Sequence, residues 1–218
     1  MKTMMHPKAG VALTIGILAI APVRSVAAQN LTFGWGFNAG GGFGDCSVNG
    51  NSNPLCGQTG VPDASVVTAP AALNSIPDAV AVGAGMFHSL AVRADGSVWA
   101  WGNNGSGQLG SGGAQGAYSV VPVHVPQIDD ARAVAGGWHQ SYAIRGDGTL
   151  WTWGSAFTGL GSYSSFAPPT RVPGLFGAVA VAAGENSSHA VLSDGTLWSW
   201  GFNGNGQLGT GSFDSFAR

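Results

Sequence analysis

Few residues in this 218-residue chain have the types and spacing to do chemistry. The stretch SSHAVLSD (187–194) brings together Ser, His and Asp, the set used for nucleophilic hydrolysis when a base takes the hydroxyl proton. Neighbours on an extended strand point to opposite faces, so Ser188 and His189 cannot pair locally. The position seven before each of Asp95, Asp147 and Asp194 holds His88, Gln140 and Ser187. His139 and His189 fall outside that register, and His124 lies in a linking segment. A metal centre needs several His or acidic side chains on one level, and this pattern supplies none. These histidines therefore read as structural, with no metal, cofactor or catalytic constellation expected.

Two stretches, GSGQLG (105–110) and GNGQLG (204–209), fit the dinucleotide-binding pattern G-x-G-x-x-G. That pattern binds phosphate only between a strand and a helix, with an acid about 20 residues further on. Here it recurs in loops leading to Pro-containing segments, so its glycines read as turn residues. Cys46 and Cys56, in DCSVNGNSNPLCG, lack both CxxC spacing and a nearby His. In an exported chain they predict a disulfide that closes a Gly/Asn-rich loop and contributes about 2–3 kcal/mol.

The elements behind these residues repeat. DGSVWAWGNN (95–104) returns as DGTLWTWGSA (147–156) and DGTLWSWGFN (194–203). Asp-Gly between alternating apolar residues predicts a hairpin with a type I′ turn, which needs positive φ at both central residues. The strand before each turn is HSLAV (88–92), QSYAI (140–144) or SHAVL, ending at Leu192. The strand after it carries two Trp residues on one face: Trp99 and Trp101, Trp151 and Trp153, Trp198 and Trp200. A further β-prone run precedes each hairpin: AVAVGAG (79–85), ARAVAGG (131–137) and AVAVAAG (178–184). Each unit is thus at least three short antiparallel strands with no room for a helix. The spacing from Trp101 to Trp153 is 52 residues and from Trp153 to Trp200 is 47. Periods of about 40 to 50 residues with one small sheet each predict an all-β propeller whose Trp faces are buried between neighbouring sheets.

The chain's first 28 residues read as an export signal. Lys2 and Lys8 precede an apolar run, AGVALTIGILAIAPV, that is short for a membrane span, and small residues follow at SVAA. Cleavage after Ala27 or Ala28 predicts a secreted or periplasmic protein with no membrane insertion. Loss of Lys2, Lys8 and Arg24 leaves five Arg against ten acids, a net charge of about −5 with no Lys. Clustered cations are what neutralise phosphates, so nucleic-acid partners are excluded.

The stretch AVGAGMFHSLAVRADGSVWAWGNNGSGQLGSG resembles the repeat of the regulator of chromosome condensation family. Its Ala-Gly-x-x-His-Ser, Asp-Gly, Trp-Gly-x-Asn and Gly-Gln-Leu-Gly landmarks occur in order. The unit at 178–211 is similar, the unit at 131–161 is a shortened version, and a degenerate unit begins at Leu31. The resemblance implies a propeller, usually of seven blades, which would need about 350 residues at this period. About three and a half repeats are read here, over 29–76, 77–128, 129–175 and 176–218. Four Trp-Gly strands, at Trp35, Trp101, Trp153 and Trp200, face only three strands of the AVAVGAG type. The expectation is a C-terminally truncated copy of a longer protein, with a self-assembled pair of half-rings or a compact four-bladed ring as alternatives.

Two residues follow each Ala-Gly or Gly-Gly: Met86 and Phe87, Trp138 and His139, Glu185 and Asn186. They fall in the tight connection between two strands, so in a propeller all six gather on one rim. Exported bacterial relatives of this fold are similar in carrying aromatic residues there for protein binding. Phe87 and Trp138 fit that pattern; Glu185 and Asn186 depart from it. The expected function is a non-enzymatic binding scaffold for a protein, or a glycan, outside the cytoplasm. Guanine-nucleotide exchange on a small GTPase is the family alternative, and export argues against it. A polysaccharide-acting enzyme is the third, and it would need paired axial acids that the sequence lacks.

Overall fold

The computed structural model describes residues 32–37, 66–73, 75–112, 118–161 and 164–214. The proposed signal segment, Cys46 and Cys56 lie outside the described residues, as does part of the first repeat. Thirteen strands are described, all paired antiparallel, with no helix among the described residues. β1 (Thr32–Phe37) pairs with β2 (Val66–Leu73). β3 (Ala79–Ala84), β4 (His88–Arg93), β5 (Val98–Asn103) and β6 (Tyr118–Val125) form the second sheet in chain order. β7 (Ala131–Gly136), β8 (Gln140–Arg145), β9 (Leu150–Ala156) and β10 (Ser164–Arg171) form the third. β11 (Ala178–Ala183), β12 (Ser187–Leu192) and β13 (Leu197–Gly201) form the fourth.

The sequence reading of the Asp-Gly turn needs correcting. Gly96, Gly148 and Gly195 have positive φ of 82°, 77° and 85°, but Asp95, Asp147 and Asp194 do not. Gly96 N donates to Arg93 O at 2.9 Å, and Arg93 N donates to Ser97 O at 3.0 Å. The same pair of bonds closes the other two turns. This is a three-residue loop, a type I turn followed by a left-handed Gly bulge. The Asp favours it because its carboxylate has a local use. Asp95 Oδ1 accepts from both Ser97 N and Ser97 Oγ, and Ser97 Oγ in turn accepts from Trp99 Nε1 at 3.0 Å. Asp147–Thr149–Trp151 and Asp194–Thr196–Trp198 repeat the relay. The hydroxyl bonds hold each of these three carboxyls below the usual Asp range.

The two faces of each sheet divide by strand parity. Leu90, Val92, Val98 and Ala100 face the third sheet, where Val134, Ala143 and Trp153 meet them. Tyr142, Ile144 and Leu150 face the fourth sheet and meet Ala190 and Trp200. Ala91 and Trp101 face the other way, toward Leu73 and Ile76. Trp101, Trp153 and Trp200 are therefore the mortar between sheets, all buried, while Trp99 and Trp151 are half-buried. The sheets are also joined through backbone: Ala131 N donates to Gly96 O and Ala178 N to Gly148 O, each at 2.9 Å.

β6, around the His124 segment that the sequence analysis reads as linking, and β10 are outer edge strands. They contain Pro122, Pro168 and Pro169, which only an edge strand tolerates because Pro offers no ladder donor. After each comes a Val-Pro turn. Gly174 takes φ of 76° there, and Gln127, at the same place one repeat earlier, is held at 72°. A side chain in that region costs about 1 kcal/mol or more. Gln127→Gly is expected to raise stability by about 1 kcal/mol, read as a higher denaturant midpoint at unchanged slope.

Candidate interaction rim

The rim begins with three two-residue loops. Ala84 pairs with Ser89, Gly136 with Ser141 and Ala183 with Ser188, which leaves the six rim residues at the loop tips. Each loop is closed by its leading glycine: Gly85 N to His88 O, Gly137 N to Gln140 O and Gly184 N to Ser187 O, all 2.8 Å. The Trp-Gly motif holds the loop from the side. Gly102, Gly154 and Gly201 take φ of 101°, 99° and 113°, with a rim carbonyl where a Cβ would stand. The next residue donates its N–H to that carbonyl: Asn103 to Phe87, Ser155 to His139 and Phe202 to Asn186. A strand motif far along the chain thus fixes the backbone of the rim.

Neighbouring loops are linked, so the six residues share one edge of the sheets. Met86 N donates to Gly137 O at 3.0 Å, and Gln140 Nε2 lies 3.4 and 3.3 Å from the carbonyls of Gly184 and Glu185. Met86 is 53% exposed and Glu185 is exposed, while Phe87, Trp138, His139 and Asn186 are half-buried. The Trp138 and His139 rings stack, with centroids 4.9 Å apart and planes 16° from parallel. His139 Nδ1 lies 3.2 Å from Ser106 Oγ, and partial burial lowers its pKa. The aromatic pair is thus braced in place.

The opposite edge carries the Asp-Gly turns and differs in charge. Asp95, Asp147 and Asp194 sit there with the Arg93–Asp78 and Arg145–Asp130 ion pairs. Those pairs recur with the same 15-residue separation, a pattern visible in the sequence once the sheets are known. Among the six rim residues only Glu185 carries a full charge at neutral pH.

Beneath the rim lies a buried polar row. His88, Gln140 and Ser188 are fully buried, and each reaches the adjacent sheet. His88 Nε2 lies 2.8 Å from Ser141 Oγ, which donates to Gln108 O. Ser188 Oγ lies 2.9 Å from Tyr142 Oη. A Ser–His contact invites a nucleophile reading, but Ser141 spends its proton on a backbone carbonyl and is closed to solvent. Burial, aided by the nearby His139, drops the His88 pKa to about 3, so the ring is neutral. Ser188 and His189 point apart as expected, His189 Nδ1 bonding Ser199 Oγ at 2.9 Å.

The Gly-Gln-Leu-Gly loop is also structural. Ser106 N donates to Gln108 Oε1, Leu109 N to Asn104 Oδ1 and Gly105 N to Asn103 Oδ1. Its amides are consumed internally and leave no nest for phosphate. Gln108 O instead accepts Trp153 Nε1 at 2.8 Å, tying this loop to the buried Trp of the next sheet.

Residues 79–108 and 178–207 match one model of the regulator of chromosome condensation (RCC1) repeat, and residues 95–144 match a second. The chain carries RCC1 repeats. Its fold matches part of the RCC1 β-propeller: the solved structure of yeast RCC1 (Prp20) bound to Kap60 aligns with a TM-score of 0.64 at 25% identity, covering 76% of this chain and 42% of that one. Human WBSCR16 aligns with a TM-score of 0.69 at 23% identity, covering 86% of this chain and 47% of that one. In sequence, the mitochondrial RCC1 domain-containing protein RUG3 of Arabidopsis thaliana is 39% identical over 77 residues, 34% of this chain and 17% of its own. Protein RCC1 of Candida albicans is 28% identical over 148 residues, 59% of this chain and 29% of its own. The chain spans less than half the length of each of these proteins.

Proposed function

We propose that this RCC1-repeat chain is an exported, non-enzymatic scaffold that binds a partner protein through the rim of Met86, Phe87, Trp138, His139, Glu185 and Asn186. The observation that carries the reading is the rim itself: adjacent loops fixed by backbone bonds, presenting braced aromatic side chains on an edge almost free of formal charge. Aromatic anchors with few charges are the composition of interface centres. Export rests on the N-terminal signal pattern, and it separates this chain from a cytoplasmic GTPase partner. A glycan is the alternative ligand, since stacked rings also suit sugar faces.

The test is capture from envelope and culture-supernatant fractions by the tagged chain, compared with the Phe87→Ala/Trp138→Ala variant. Capture should fall at least tenfold, as hot-spot residues usually account for more than about 1.4 kcal/mol each. The unfolding midpoint should stay close to that of the unaltered chain. Unchanged capture would remove the rim from the proposal, and turnover of a polysaccharide panel would overturn the non-enzymatic reading.

A further inference from the structure

We propose, on the reading that the rim is the binding edge, that its protein partner presents an arginine held between the Trp138 ring and the Glu185 carboxylate. The chain sorts its charge by edge. Arg93 and Arg145 close ion pairs with Asp78 and Asp130 at the edge of the Asp-Gly turns. Arg171 pairs with Trp151, whose indole is tied through Thr149 to the Asp147 turn. Arg132 follows Ala131, whose N–H bonds Gly96 O, and its guanidinium lies beside Gly146 of the next turn. These four are every arginine among the described residues, which include no lysine. The rim is left with one carboxylate, Glu185, and no permanent cation among the described residues. His139 adds none at neutral pH, since partial burial lowers its pKa.

Glu185 stands in the loop next to the aromatic pair. Gln140, directly after Trp138 and His139, aims Nε2 at the carbonyls of Gly184 and Glu185. The backbones approach so closely that a Cβ on Gly137 would lie 2.7 Å from Gly184 O. On its other side the Trp138 loop is joined to Met86, whose N–H donates to Gly137 O. Trp138 is half-buried between these neighbours, so part of its ring stays open to solvent. Glu185 has no ion-pair partner among the described residues. The opposite edge shows how this chain combines such groups. Arg93 lies 5.9 Å from the Trp99 ring centroid and 3.9 Å from Asp95, and Arg145 lies 5.5 Å from that of Trp151 at the Asp147 turn. On the rim the indole and the carboxylate come from adjacent loops, and a partner's arginine would complete the same trio. Arginine suits it better than lysine, because a planar guanidinium can lie on an indole while its N–H fork bonds a carboxylate. An acidic segment would instead meet Glu185 as a like charge.

The probe is N-acetyl-arginine amide, titrated into the isotope-labelled full chain. Binding is followed by nuclear magnetic resonance at the Trp138 indole N–H and the Glu185 amide, the former assigned by its loss in Trp138→Phe. A saturable shift at both is expected. N-acetyl-citrulline amide, of the same shape without the charge, should bind at least about threefold more weakly. Glu185→Gln should weaken arginine binding about threefold, and Trp138→Ala, read at the Glu185 amide, about fivefold. The unfolding midpoint of Glu185→Gln should not move, because the loop contact uses the Glu185 carbonyl. Absence of a saturable shift overturns the proposal, as does equal binding of the two compounds or indifference to Glu185→Gln. Capture that still depends on Phe87 and Trp138 would then keep the rim as the binding edge and reject only its choice of arginine. Arginine binding beside unchanged capture would support the arginine site and reject the rim as the edge that captures protein.

Discussion

Replacing His88 with Gln is expected to make the protein markedly more resistant to acid. His88 is fully buried against Ser141, with its pKa at about 3 in the folded chain against 6.5 for the ordinary side chain. As pH falls below 6.5 the unfolded chain takes up this proton and the folded chain does not. The stability held by the neutral ring is complete above pH 6.5 and drains away between pH 6.5 and about 3. At about 1.4 kcal/mol for each pKa unit, the loss is on the order of 4–5 kcal/mol. Gln suits the site because Gln140 occupies the same place one repeat later, buried, with its amide directed at the next sheet. The measurement is unfolding free energy from pH 8 to pH 3 for both proteins. The three turn carboxyls, held below the usual range, lose their contribution in both as pH falls through their folded values, so the difference between curves isolates His88. Parallel curves would show that the buried imidazole is not the acid-labile group.

Trp153→Ala should produce the largest loss of stability of any single truncation. Its side chain is 0% exposed, it fills the space against Leu90, Val98 and Leu109 of the preceding sheet, and its indole N–H ends on Gln108 O. Truncating a buried aromatic of this size costs about 3–5 kcal/mol, while Gln108 O keeps the bond from Ser141 Oγ. Trp153→Phe keeps most of the packing and should cost about half as much. Denaturant unfolding of the two variants separates volume from hydrogen bond. A loss below about 1 kcal/mol for Trp153→Ala would mean that the sheets are held mainly by their backbone links.

The sequence carried the architecture further than the local geometry. The 47- and 52-residue spacing, the alternation around Asp-Gly and the paired Trp residues were enough to predict small antiparallel sheets stacked through tryptophan. The turn type was missed because Asp-Gly serves two loop geometries, and the choice depends on where the carboxylate finds donors. β6 and β10 were passed over because Pro reads as a strand breaker, although an outer edge accepts it. The His88–Ser141 contact joins residues 53 apart in different repeats. Its trace in the sequence is a polar residue at the start of the hairpin's first strand in every unit: His88, Gln140, Ser187.

The rim loops are held almost entirely by main-chain groups: a glycine N–H closes each tip, and the residue after each Trp-Gly caps its carbonyl. Such anchoring is blind to which side chain stands at the tip, as the run Met-Phe, Trp-His, Glu-Asn in three otherwise similar loops illustrates. Scaffold and tip chemistry are therefore encoded separately here. The side chains of this edge can be rewritten without renegotiating how the sheets fold, and a library randomised at these six positions should yield folded members far more often than one randomised at any six positions in the strands behind them.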